Sequence, residues 1–129
     1  MEMIDKLMRT HGAMVGRMLI GLLFVFSGVG IVLNGVDGFS GMIEMRGLPM
    51  PLVLAWLVVA VKIVAGAALM IGWRTTQAAL ALIIFTALVT LLYHLDLEDV
   101  NLFKNLAIIG GLLYVYVYGP GSGWRLNLG

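Results

Sequence analysis

The chain has 129 residues, of which 61% are hydrophobic and only 12% charged, with a formal net charge of +1. Soluble domains are about half apolar and about a quarter charged, so this composition excludes an ordinary water-soluble fold. The absence of cysteine excludes disulfides, thiol redox chemistry, iron–sulfur ligation and covalent haem attachment through this chain.

Four apolar stretches are predicted helices, at about residues 14–36, 52–71, 77–93 and 102–118. A helix needs about 20 residues, and at least about 17, to cross the hydrocarbon core of a bilayer. The first two stretches are long enough outright and the last two are at the short end. The first is too long for a signal peptide and lacks a small-residue cleavage site. Together the four use most of the chain, so residues 1–129 are expected to form a single integral membrane domain. The expected fold is all-α, a four-transmembrane-helix bundle.

Between the first two stretches runs "NGVDGFSGMIEMRGLPMP". Gly35, Gly38 and Gly41 suit turns, and "SGMIEMRG" suits a short interfacial helix. Pro51 stands where a helix opens without losing a hydrogen bond. "GWRTTQ" is short, which makes the second and third helices antiparallel neighbours. "HLDLEDVN" is short and acidic, and "GPGSGWRLNLG" ends the fourth helix with glycines.

Basic residues set the expected orientation. Lys6, Arg9 and Arg17 are read as preceding the first helix, Arg74 lies between the second and third, and Arg125 follows the fourth. Arg46 and Lys104 fall in the other loops, with Asp37, Glu44, Asp96, Glu98 and Asp99. This bias places both termini in the cytoplasm and leaves an acidic outer face. Trp73, Tyr118 and Trp124 then gather at the inner ends as an interfacial belt. His11 and His94 fall at opposite ends of the helices, which argues against bis-histidine haem.

Lys62 stands alone in the middle of "LVLAWLVVAVKIVAGAALMI". A central lysine costs about 2.5–3.5 kcal/mol on insertion scales, so it should face a protein interior or a wet cavity. Helical side chains lean toward the helix N-terminus, here toward the outer, acidic side. Asp37, Glu44 and Asp96 are its candidate charge partners, because no carboxylate lies within the four stretches. The plainer alternative is satisfaction by carbonyls, Ser27, Thr86 or water.

A second group lies one short loop apart, with Tyr93 and His94 ending the third helix and Lys104 and Asn105 opening the fourth. A quinone headgroup needs donors to its carbonyls and a proton carrier at such a boundary, and histidine titrates in a suitable range. The same residues equally suit helix capping. His94 with Asp96, Glu98 and Asp99 is too unspecific a pattern to read as a metal site, and none is expected. Small residues in "FSGVG", "AGAA" and "IIGGLL" suit close helix packing.

These pieces together resemble the DoxX family of small four-helix bacterial membrane proteins. The resemblance rests on "RMLIGLLFVFSG" at Arg17–Gly28, "RGLPMP" at Arg46–Pro51, "IGWRT" at Ile71–Thr75, His94, "NLFKNLAIIGGLL" at Asn101–Leu113 and "GPG" at Gly119–Gly121. It implies a multi-pass protein of the bacterial inner membrane associated with quinone-linked redox chemistry. Family members commonly carry a lysine after the "SG" of the first helix and a glutamate midway along the second. Here Ile31 or Val32 and Lys62 occupy those places, so that lysine–glutamate pair cannot form. His94, Lys104 and Asn105 still match.

The expected function is a subunit or accessory protein of a quinone-linked electron-transfer complex, without redox centres of its own and more a non-catalytic part than an enzyme. Its candidate pocket for quinone or lipid comprises Lys62, Tyr93, His94, Lys104 and Asn105. Two alternatives stand beside it: a small transporter or channel using Lys62 as an anion or proton site, and a non-enzymatic assembly or structural subunit. Expected partners are the lipid bilayer and either other membrane subunits or further copies of the chain, with no nucleic acid.

Overall fold

Thirty-three residues from Glu2 to Asn34 form one uninterrupted helix, α1, in the computed structural model, which describes residues 1–93 and 100–121. The expected start near Met14 is therefore corrected to Glu2. Nothing in "EMIDKLMRTHGA" breaks a helix. Glu2 and Asp5 occupy the first turn, where carboxylates favour the positive end of the helix dipole. Arg9 Nε also donates to Asp5 Oδ2 at 3.0 Å, one turn back. Hydropathy reports where lipid suits the chain, not where helical hydrogen bonding begins. At about 1.5 Å per residue, α1 is about 50 Å long and overruns a hydrocarbon core of about 30 Å.

The helix stops at Gly35, whose φ of +99° suits a residue without Cβ. A ten-residue helix, α2, Val36–Met45, follows at once. It begins earlier than the "SGMIEMRG" expected to form it, because Val36 and Ile43 bury against Ala55 and draw that turn onto the bundle. Pro51 opens α3, Pro51–Ile71. α4 spans Thr75–Tyr93 and α5 spans Val100–Tyr118. No strand occurs among the described residues. α1, α3 and α4 are long and apolar enough to cross a membrane, and α5 contributes a shorter apolar run, Leu102–Tyr118.

α1 and α3 pack most intimately, and glycine makes that possible. A Cβ on Gly66 would lie 2.9 Å from the Gly21 carbonyl oxygen and 3.1 Å from Phe24 Cβ. One on Gly21 would run into the Gly66 carbonyl in return. Further along, a Cβ on Gly28 would come within 2.8 Å of Ile63 Cγ1 and 3.1 Å of Lys62 Cβ. The rising α1 numbers meet falling α3 numbers, so the two helices are antiparallel. α4 lies beside α3, and α5 lies beside α4 and also touches α1. Phe24, Leu69, Leu82 and Leu112 bring all four long helices into one core. α2 rests on α1 and α3 but, among the described residues, reaches neither α4 nor α5. Leu, Ile, Val and Phe side chains remain exposed along the outer faces, a surface suited to lipid rather than water.

Candidate functional site

Two basic side chains enter this bundle, and they are treated differently. Arg17 was expected before the first helix as a marker of orientation. It is instead buried halfway along α1, with 1% of its surface exposed. Its Nη1 donates to the carbonyls of Leu69 at 2.9 Å and Met70 at 3.0 Å, and its Nε to the carbonyl of Pro120 at 3.1 Å. The last four carbonyls of a helix lack intrahelical partners. At the end of α3, Trp73 N–H reaches Ala68 O and Gly72 N–H reaches Leu69 O, a Schellman motif made possible by Gly72 at φ +73°. Arg17 supplies a partner for Met70, adds one for Leu69, and places positive charge where the helix dipole favours it. It joins α1, α3 and Pro120, two residues past α5, at one end of the bundle.

Lys62 lies near the middle of α3, beside the bare backbone of Gly28. The close approach there brings the preceding residue within reach: Lys62 Nζ donates to Ser27 Oγ at 2.7 Å. The ammonium also sits 5.7 Å from the centroid of the Phe85 ring, a favourable cation–π distance. An ammonium has three donors. Beyond the Ser27 bond, Lys62 makes no hydrogen bond or ion pair with a described residue.

In front of it opens a cavity of about 590 Å³ walled by all five helices, mostly with Leu, Ile, Val and Phe. Ser27, Lys62, Thr86, Lys104 and Asn105 are its polar lining, and no described carboxylate joins them. Asn105 is buried and donates from Nδ2 to Thr90 Oγ1 at 3.1 Å, which itself donates to the Thr86 carbonyl at 2.7 Å. Thr86 Oγ1 is buried without a hydrogen-bond partner among the described residues. Lys104 is exposed at the start of α5 and bonds to no described side chain.

Of the residues singled out from the sequence, Lys62, Lys104 and Asn105 thus meet at one cavity. Tyr93 is the last residue of α4. His94 and Asp96 lie outside the described residues. Asp37 and Glu44, named as charge partners, are exposed on α2 and neither line the cavity nor pair with Lys62. The reason is the amphipathic character of α2: Val36, Ser40 and Ile43 turn inward, which leaves both acids on the outer face. The partner found is Ser27. Sequence reasoning missed Thr90, although Thr86 and Thr90 stand one turn apart in the apolar part of α4. Among the described residues no three His, Asp or Glu gather as metal ligands would.

Comparison with known proteins gives this arrangement its relatives. The inner membrane protein YqjF of Escherichia coli (strain K12) is 33% identical over 124 residues, covering 91% of each chain. The inner membrane protein YphA of the same organism is 25% identical over 118 residues, covering 84% of each. No solved structure matches the chain. Residues 12–95, which carry Arg17, the Gly21–Gly66 contact and Lys62 with Ser27, match the DoxX family model, and the chain belongs to the DoxX family.

Proposed function

We propose that this protein crosses the bacterial inner membrane four times, as one domain with both termini cytoplasmic, and serves as an accessory subunit of a quinone-linked electron-transfer complex. The observation that carries this reading is the apolar cavity with its polar groups gathered at Lys62, Lys104 and Asn105. Its volume falls within the roughly 300–1,000 Å³ of small-ligand sites, which are mostly apolar with a few placed polar groups. The residues fit a quinone. The walls suit an apolar tail, and the ring carbonyls would accept from donors such as the spare Lys62 N–H and the unpartnered Thr86 hydroxyl. Both relatives are named inner membrane proteins, which supports the location. Without cysteine, the chain would hold and orient the quinone while a partner subunit exchanges electrons with it.

Extraction from native membranes in mild detergent, followed by mass spectrometry of retained lipids and proteins, tests this. Quinone should copurify, together with a stoichiometric oxidase or dehydrogenase, and Lys62→Met should lose the quinone. Isolation as a lone homo-oligomer, free of quinone, would sink the proposal. The spare donors of Lys62 support a second reading, a small transporter or channel with Lys62 as an anion or proton site. That reading requires flux into proteoliposomes that disappears in Lys62→Met. Assembly without any ligand is the third outcome, shown by a stable partner complex that tolerates loss of Lys62.

A further inference from the structure

The cavity is asymmetric in charge as well as in polarity. Lys62 and Lys104 both line it, while no described carboxylate does. Neither forms an ion pair with any described residue. Two ammonium groups beside one apolar volume repel each other, and at the half-buried Lys62 an unpaired charge is unfavourable. Among the nearby neutral groups, Asn105 Nδ2 and Thr90 are already engaged, while Thr86 Oγ1, only 4% exposed as a residue, has no described partner and can donate to a ligand. A neutral carbonyl would accept from these donors without offsetting their charge. An anionic oxygen uses several and cancels the repulsion as well.

The exposed part of the wall bears on where such a ligand comes from. α2 covers α1 and α3 without touching α4 among the described residues. Met42 on one side and Leu88 on the other are both more than half exposed at the cavity wall. Both side chains are apolar, so this part of the wall suits a molecule already dissolved in the bilayer.

We infer that this cavity binds an anionic amphiphile, an acidic oxygen headgroup on a single apolar tail, with Lys62 and Lys104 clamping the head beside Thr86. The inference rests on the cavity being a ligand site, as in the functional reading above, but not on the ligand being a neutral quinone. Two sources share this chemistry: a long-chain carboxylate, and a quinone ring bearing an ionised hydroxyl.

The test uses the full-length protein in a neutral maltoside detergent and two pairs of probes. One pair is a fluorescent long-chain fatty acid and its methyl ester. The other is a 2-hydroxy-3-alkyl-1,4-naphthoquinone and its O-methyl ether. In at least one pair the anion should bind about tenfold to a hundredfold more tightly than its neutral counterpart, the range of a hydrogen bond to a charged group. The pair that shows the preference identifies the source. Lys62→Met and Lys104→Met should each abolish the preference, and Lys62→Arg should keep part of it. Lys104→Met, at an exposed position, guards against a variant that fails to fold. Equal binding of both members of each pair would overturn the anionic assignment while leaving a neutral quinone in the cavity. No binding of any probe, with the protein intact by thermal melting, would overturn both.

Discussion

Arg17 and Lys62 lie on the two facing helices of one tightly packed pair, yet they live in opposite circumstances. Arg17 spends its donors on the carbonyls of Leu69, Met70 and Pro120, at the end where α1, α3 and the chain after α5 converge. Among the described residues Lys62 has a single hydrogen-bond partner, the Ser27 hydroxyl, and it lines an apolar cavity. Glycines bring the backbones together on the side of each, Gly21 and Gly66 toward the first and Gly28 at the second, but only the second also borders the cavity. A basic side chain satisfied by backbone acts as a structural pin. One left with spare donors in front of an apolar space is equipped to receive something else.

That contrast breaks most easily at Arg17. Arg17→Ala leaves the Met70 and Pro120 carbonyls without their Arg17 donor and should cost about 2–6 kcal/mol, at about 1–3 kcal/mol for each unsatisfied buried group. Thermal unfolding in detergent measures it, and an unchanged melting temperature would end the idea of a pin. Arg17→Lys keeps the charge but lacks the planar fork that spans several carbonyls, so its melting temperature should fall between the two. Gly66→Val tests the close approach: its added carbons meet Gly21 and Phe24, and about 1–3 kcal/mol should be lost to overpacking. If it melts like the wild type, the two helices are not held as closely as the glycines imply.

The open end should respond more weakly in stability. Asn105→Leu removes the donor to Thr90 and should cost about 1 kcal/mol, a typical net hydrogen bond. Lys62→Met replaces a poorly partnered ammonium with an apolar side chain of similar length. Its unfolding should stay within about 1 kcal/mol of wild type, while binding at the cavity is lost. The sharpest form of the comparison is the ratio of these two effects. Should Lys62→Met unfold the protein as severely as Arg17→Ala, both residues are structural, and the cavity loses its claim as a site.

Much of the fold was legible in the one-dimensional pattern. Long apolar runs, Pro51 at the start of α3 and the short "GWRTTQ" after it are local signals with local causes. The start of α1 was misjudged because Glu2–Ala13 is helical without being apolar, and hydropathy cannot see a helix that extends past lipid. The site was legible in part. Lys62 was conspicuous because an intramembrane charge is rare, and Lys104 and Asn105 because they share a helix end. Arg17 was hidden by its place at the margin of an apolar run, where an arginine ordinarily marks the membrane surface. Its role depends on carbonyls 52, 53 and 103 residues away.

From the sequence alone came the helical class, the suitability for lipid, the lack of cysteine chemistry and the singular position of Lys62. These follow from composition and from rules that act within a turn or two of chain. Tertiary structure decided which cation is satisfied and which is not, that the acids of α2 turn away from Lys62, and that Lys62, Thr86, Lys104 and Asn105 border one cavity. Those outcomes depend on how closely α1 and α3 meet at Gly21, Gly28 and Gly66, and on which face each neighbouring helix presents. Distance across the bundle is set by packing, and packing is a property of all the helices at once.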